Sequence, residues 1–176
     1  MIVRLRKWKI GDVDSLVRHA DNEHIADNLR DAFPSPYTKA DAEAFIEACL
    51  SSDVEGELML AIDVDGEAVG AIGISPKGDY QYRCAELGYW VSEDYWNQGV
   101  ASKAVELMCD RAYKELGIIR IYAECFETNS ASQRVLEKSG FVCETKLNKG
   151  VYKNGVFYDS LIYEYEHLPE DEDDYF

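Results

Sequence analysis

The stretch Glu93-Asp-Tyr-Trp-Asn-Gln-Gly-Val-Ala-Ser102 decides the fold. Upstream of it, residues 82–92 read as a strand that ends on Leu87, Tyr89, Trp90 and Val91. Downstream, Ala101, Ala104, Val105, Met108, Ala112 and Leu116 form an apolar stripe that predicts a helix over 98–116, with Gly117 at the C′ position. A strand therefore runs into a glycine-bearing loop that opens a long helix. Gly99 lets the backbone come close to a ligand, and Ala101 is small enough for tight packing at the helix start. The N–H groups of residues 97–102 point out of the helix N-terminus, where the dipole favours an anion. A pyrophosphate fits that description, and a site built from backbone N–H groups holds phosphate even in an acidic protein. Taken alone, the loop reads equally well as a glycine near an ordinary helix start. Neither GxGxxG nor GxxxxGK[ST] occurs, which lowers the NAD and ATP readings.

Outward from this loop, the chain alternates between the two periodicities. Residues 2–8 read as a first strand, and Val13, Leu16, Val17 and Ala20 continue as a helix. Residues 28–37 carry two prolines two apart and read as a loop. Thr38 with Asp41 resembles a capping box and starts a helix through about Cys49. Residues 57–64 and 67–74 flank the hairpin signal Asp65-Gly66. Residues 118–126 predict a strand, 129–139 a helix ended by Gly140, 141–147 a strand, and 156–166 the last strand after the turn Asn154-Gly155. The result is one α/β domain with a mixed sheet over residues 1–168. A block of consecutive acids, Glu170–Asp174, marks 169–176 as a solvated acidic tail.

Composition narrows the partners. The chain has 176 residues, and 34 Asp+Glu against 18 Lys+Arg give a formal charge of −16. That balance argues against nucleic acid and against an anionic membrane surface, and suits cationic partners such as amines or basic proteins. No apolar run approaches the length of a membrane span, and the N-terminus lacks the apolar stretch of a signal peptide. The five cysteines (49, 84, 109, 125, 143) form no CxxC pair and the three histidines (19, 24, 167) are scattered. Reduced thiols, a cytoplasmic location and no bound metal are expected.

The second motif is Asn129-Ser-Ala-Ser-Gln-Arg-Val-Leu-Glu-Lys-Ser-Gly-Phe141. Together with Trp96-Asn-Gln-Gly-Val-Ala101 it resembles the GNAT superfamily of acyl-CoA N-acyltransferases, and within it the RimJ/RimL-type ribosomal-protein N-terminal acetyltransferases. The loop Phe33-Pro-Ser-Pro-Tyr-Thr38, the strand Ala85-Glu-Leu-Gly-Tyr-Trp90 and the late hairpin Asn154-Gly155…Asp159 fall in the expected order, so the resemblance covers nearly the whole chain. It implies an α/β (α+β) fold: a mixed, mostly antiparallel central sheet of about seven strands, flanked by helices and splayed beside the 82–92 strand to form an acyl-CoA cleft. Acetyl-CoA would be the co-substrate. Its pantetheine arm would pair with backbone near Tyr89, Trp90 and Val91, and its pyrophosphate would sit on Asn97, Gln98, Gly99, Val100, Ala101 and Ser102. Asn129 and Ser132 would face the thioester end.

The resemblance also bears on catalysis. Many superfamily members carry a Tyr seven residues after the motif Asn, as the acid for the leaving thiolate. Leu136 stands there and cannot serve, which leaves Ser132 to hydrogen-bond the sulfur, or a thiolate that departs without a dedicated acid. Acetyl transfer needs a neutral amine. An α-amine with pKa about 7.7–8.0 is roughly a tenth neutral at pH 7, whereas a lysine at about 10.4 is neutral only about once in 2,500. Glu124 and Glu86 are the two candidate general bases, with strand carboxylates in ordinary ion pairs as the plainer reading of each. Strand alternation puts Cys84, Glu86, Gly88 and Trp90 on one face. Backbone N–H groups near Val91 would stabilise the oxyanion. Arg30, Asp31, Phe33 and Tyr37 should border the acceptor pocket, with ordinary loop packing as the plainer reading, and Arg134 and Lys138 could reach CoA's phosphates or stand as ordinary surface charges on a helix. Cys84 and Cys125 read as core thiols rather than nucleophiles.

The expected activity is transfer of acetyl from acetyl-CoA to a primary amine in a ternary complex. A protein N-terminal α-amine comes first. The alternatives are a small-molecule amine (polyamine, amino sugar or aminoglycoside), a non-catalytic acyl-CoA-binding regulator and, last, a nucleotide-binding module. The assembly is expected to be a monomer or a homodimer, with the tyrosine-rich hairpin of Tyr152, Phe157, Tyr158, Tyr163 and Tyr165 as a dimer surface or as core.

Overall fold

The computed structural model of the chain describes residues 1–52 and 56–168; the acidic block expected at 169–176 lies outside them. A seven-stranded sheet forms the centre, with strands in the order β1-β2-β3-β4-β5-β7-β6. The strands are β1 (Val3–Arg6), β2 (Leu58–Val64), β3 (Glu67–Pro76), β4 (Cys84–Val91), β5 (Arg120–Phe126), β6 (Val142–Lys153) and β7 (Val156–Glu166). Helices α1 (Val13–Ala20), α2 (Glu23–Ala26) and α3 (Lys39–Ser51) follow β1; α4 (Val100–Leu116) precedes β5 and α5 (Ser130–Lys138) follows it. Every neighbouring pair is antiparallel except β4 with β5, which run parallel.

Local chemistry accounts for most boundaries. The β2–β3 turn places Asp65 at φ 53° and Gly66 at φ 101°, the left-handed pair that a two-residue hairpin requires. Thr38 and Asp41 cap α3 reciprocally, as a capping box does. Gly117 closes α4 at φ 66°. Two sequence expectations change. β1 stops at Arg6 because Trp8 leaves the sheet to bury its ring beside Phe45. β6 does not end near residue 147 but runs to Lys153. The turn-like Asn148-Lys149-Gly150 is absorbed as an irregularity between Leu147 and Val151, with Lys149 at φ 52° and its N–H on Asp159 at 2.8 Å. The continuous partner strand β7 overrides the local turn preference.

Each face of the sheet buries its own core. On one face Leu87, Val91, Ile121, Ala123 and Cys125 pack under Val105, Met108 and Ala112 of α4 and Leu136 of α5. On the other, Ala61, Ala68 and Ala71 meet Leu16 of α1 and Ile46 of α3, and Trp90 packs against this cluster. Of the tyrosine-rich hairpin, Tyr163 is buried and Tyr165 stacks on Phe141, so both belong to the core, whereas Tyr152 and Phe157 are exposed and touch each other. Among the described residues no helix is long and apolar enough to cross a membrane.

Candidate active site

The parallel ladder between β4 and β5 is short. It pairs Cys84 with Arg120, Ala85 with Ile121 and Glu86 with Tyr122, and stops there. Beyond Glu86 the two strands splay. Ser92 N–H donates to the Val69 carbonyl at 2.8 Å and Lys77 N–H to the Cys84 carbonyl at 2.9 Å, while Ile119 N–H donates to the Arg83 carbonyl. Even-numbered residues of β4 therefore aim their peptide groups at β3, and odd-numbered ones at the gap. Tyr89 and Val91 present N–H and C=O groups to the opening, where a ligand can extend the sheet as a further strand. Trp90 does not: its peptide groups face β3, so the expected backbone pairing narrows to Tyr89 and Val91. The Val91 carbonyl is itself taken by the Trp96 indole N–H at 2.8 Å. What remains at Val91 is an N–H donor.

The loop after β4 has the form an anion needs. A short 3-10 turn spans Glu93–Tyr95, Asn97 lies at φ 58°, and Gly99 caps α4 at φ 80° with no side-chain cap. The first helical bond is from Lys103 N–H to the Gly99 carbonyl, so the N–H groups of Val100, Ala101 and Ser102 precede the ladder. Gly99 is required by its left-handed φ; an added Cβ would meet nothing within 4 Å. α4 starts at Val100 rather than 98 for the same reason. Arg134 and Lys138 of α5 line the same cavity, and neither has a carboxylate partner among the described residues.

On the α4–α5 face of the gap stand Tyr89, Ser132 and Cys125. Tyr89 Oη lies 2.8 Å from Ser132 Oγ. Burial holds the Tyr89 phenol well above the ordinary tyrosine range, with the Ser132 hydrogen bond acting the other way. Burial also pushes the Cys125 thiol up to about 11, which suits a core thiol and not a nucleophile. Asn129 caps α5 by accepting the Ser132 N–H at 3.1 Å, which occupies its oxygen and leaves the Nδ2 donors. Leu136, in the position of the expected acid, is fully buried in the core.

The second wall of the gap lies on the opposite face. Glu86 and Trp90 share it, as strand alternation requires, and so does Glu124, because its neighbours Ala123 and Cys125 point into the α4 core. The two carboxylates differ in their surroundings. Glu86 Oε1 is held by Arg30 Nη2 at 2.5 Å. Glu124 is exposed at the cavity wall, without a hydrogen-bond or ion-pair partner among the described residues. The loop between α2 and α3 arches over this wall. Phe33 packs edge-on against Trp90 with ring centroids 5.8 Å apart, and against Tyr37 at 5.2 Å. Tyr37 lines the cavity but is only 5% exposed, so it also supports the loop from below; burial lifts its phenol to about 12. At the far side Asp31 Oδ1 accepts from Lys153 Nζ at 2.9 Å, and Asp27 Oδ1 from Asn154 Nδ2 at 2.9 Å. The loop is thereby clasped to β4 at one end and to the tip of the β6–β7 hairpin at the other.

One cavity of about 1370 Å³ joins the two faces through the gap and reaches the phosphate loop, Ser132, Glu124, Glu86, Arg30 and Lys153. That exceeds an ordinary small-ligand pocket and has room for two reactants. Sequence reasoning did not find the Tyr89 side chain, the Trp96 indole, Lys153 or Asn154. Alternation with Leu87 and Val91 was the available signal for Tyr89; the Trp96 indole acts on Val91 five residues back but depends on the fold of the intervening turn, and Lys153 and Asn154 act across long sequence separations that leave no local mark.

Comparison with known proteins agrees with this geometry. The family model described as "Acetyltransferase (GNAT) domain" matches residues 3–142. An uncharacterized N-acetyltransferase of Bacillus subtilis, YoaA, is 36% identical over 97 residues, a match that spans about half of each chain (55% of this one and 54% of the other). The spermidine N(1)-acetyltransferase of Escherichia coli K12 is 26% identical over 96% of this chain and 89% of its own. The structure of Mycobacterium smegmatis RimJ in complex with CoA-disulfide superposes with a TM-score of 0.80 at 25% identity, covering 93% of this chain and 81% of that one. Ribosomal-protein acetyltransferases are also among the relatives. With a splayed sheet, an anion loop and a family match over most of its length, the chain belongs to the GNAT family of acetyl-CoA-dependent N-acetyltransferases.

Proposed function

We propose that the acceptor is the α-amine of a protein N-terminus. One observation carries this reading: of the carboxylates lining the cavity, Glu86 and Asp31 already hold cations of the chain itself, Arg30 and Lys153, Asp27 and Asp41 are engaged by Asn154 and Thr38, and Glu124 is the one with no hydrogen-bond or ion-pair partner among the described residues. A polyamine brings several ammonium groups, each of which needs a counter-charge when it leaves water. A wall with one open carboxylate suits an acceptor with one ammonium. An α-amine also asks least of the base, since about a tenth is neutral at pH 7.

In this reading acetyl-CoA lies with its phosphates on the N–H groups of Val100, Ala101 and Ser102, with Arg134 and Lys138 beside them and its arm along Tyr89 and Val91. The acceptor enters under the α2–α3 loop. Its amine nitrogen attacks the thioester carbon, and Glu124 takes the proton, directly or through a water. The Val91 N–H points into the gap, where it can meet the developing oxyanion. The carbon–sulfur bond then breaks and the thiolate leaves beside the Ser132 hydroxyl.

A second reading, acetylation of a small-molecule amine, is favoured by the spermidine acetyltransferase relative that aligns with nearly the whole chain. The two are separated by measuring CoA release with N-terminal peptides of basic proteins beside spermidine, spermine and an aminoglycoside. Peptide kcat/KM at least tenfold above the polyamines supports the α-amine. The reverse order overturns it, and CoA binding without turnover on any amine points to a regulator.

A further inference from the structure

We propose that Tyr89 is a positioning residue for thiolate departure: its phenol donates to Ser132 Oγ and so leaves the Ser132 hydroxyl proton free for the CoA sulfur. The inference rests on the acyl-CoA reading of the cleft and goes beyond it by giving Ser132 a partner that fixes its direction.

The argument is one of hydrogen-bond inventory. Tyr89 is partly buried in the cleft wall, and its phenol finds its acceptor within the protein. The acceptors Tyr89 Oη reaches both belong to Ser132: Oγ at 2.8 Å and the carbonyl at 3.5 Å. The carbonyl at 3.5 Å is at the limit of a hydrogen bond, so the phenol proton is best satisfied by donation to Ser132 Oγ at 2.8 Å, the direction taken here. A hydroxyl has one proton and two lone pairs. With a lone pair occupied by the phenol, the Ser132 proton is the group left to give. No backbone carbonyl takes it among the described residues; its partner is the Cys125 thiol, a weak neutral acceptor that a CoA thiolate outcompetes.

Tertiary placement reinforces the point. Tyr89 sits on β4 just past the last β4–β5 pair, so its side chain bridges the splayed strands to the first turn of α5. Asn129 pins that turn by capping the Ser132 N–H. Ser132 is thus fixed by two bonds, one to its backbone and one to its hydroxyl. Leu136 offers no proton, and this hydroxyl, held in direction by Tyr89, is the donor assigned here to the leaving group. The proton balance is simple: the Tyr89 proton stays on the phenol, the Ser132 hydroxyl stabilises the thiolate by hydrogen bonding, and the thiolate takes its proton from water as product leaves. The proton lost by the amine goes to the base.

The test needs no acceptor. The thiol of bound CoA is titrated through its thiolate ultraviolet absorbance, with the desulfo-CoA complex as the blank. In the wild-type protein the bound thiol is expected to titrate about one pH unit below free CoA, the size of shift a well-placed donor to an anion gives. Tyr89→Phe, which keeps the ring, and Ser132→Ala should each abolish that shift, and Ser132→Thr should retain it. In turnover, Tyr89→Phe should lower kcat without raising KM for acetyl-CoA, and should have no further effect in the Ser132→Ala background. A bound thiol that titrates as in free CoA, or a shift that survives Tyr89→Phe, overturns the proposal while leaving the acyl-CoA site intact. Absence of CoA binding overturns both.

Discussion

Replacing Glu124 by Gln separates the two candidate bases. Glu124 is exposed and makes no ion pair among the described residues, so an isosteric amide should change stability by less than about 0.5 kcal/mol. Its effect on chemistry should be far larger. A positioned general base contributes roughly 10²–10⁴ in rate, about 2.7–5.4 kcal/mol of barrier. Glu86→Gln should behave in the opposite manner. It weakens a bond to Arg30, whose side chain is 81% exposed, and such a pair is worth about 1 kcal/mol or less. Its rate loss should stay within about tenfold, because its carboxylate is engaged before the acceptor arrives. The assay is CoA thiol release at saturating acetyl-CoA with an N-terminal peptide, from pH 6 to 9. Thermal unfolding of each variant shows that the fold is intact. The wild-type rate should rise with pH as the acceptor α-amine, with pKa about 8, loses its proton. The reasoning is refuted if Glu124→Gln keeps its rate within about threefold while Glu86→Gln loses a hundredfold.

Other expectations follow from the same structure. Gly99→Ala places a Cβ at φ 80°, which should cost about 1 kcal/mol and lower the melting temperature by a few degrees; calorimetry should also show weaker CoA binding, since the strained φ disturbs the loop that presents the first N–H groups of α4. Leu136→Ala removes a side chain that is fully buried between α5 and the sheet, and denaturant unfolding should show a loss of about 2–5 kcal/mol. The Asp12 carboxyl sits in a network with Arg6, which contacts it at 2.8 and 3.0 Å and also holds Asp63 at 2.6 Å. Burial alone would raise this carboxyl, but the Arg6 hydrogen bonds and the Lys9 N–H hold it below the usual carboxylate range. The folded-state value is the lower one, so this contribution is fully present above about pH 5 and is lost as the pH falls through the ordinary aspartate value near 4 and below. Acid unfolding of Asp12→Asn should therefore be less steep than that of the wild type across that interval.

The sequence by itself determined what neighbours along the chain can enforce. Asp65-Gly66 and Asn154-Gly155 fix hairpins because each needs left-handed φ values that those residues tolerate. Thr38 with Asp41, and Gly117, set helix ends through single local bonds. The form of the loop before α4 was legible because it is carried by backbone N–H groups and one glycine, all within ten residues. Even the element order and the mixed sheet followed from periodicity and the two motifs. Local reading failed where a partner strand outweighed local preference, as when β6 carried Asn148-Lys149-Gly150 along to Lys153.

Tertiary structure decided what depends on groups far apart in sequence. Alternation put Glu86 and Trp90 on one face but not which face; the α4 and α3 cores settled that by burying the opposite sides of β4. Nothing in the sequence distinguished Glu86 from Glu124. The fold does, by bringing Arg30 to Glu86 across 56 positions and leaving Glu124 open. The same holds for Tyr89 with Ser132, 43 positions apart, and for Asp31 with Lys153, 122 apart. A side chain's proton and charge are assigned by what it meets, and at such separations only the closed sheet and the loop clasped over it determine the meeting.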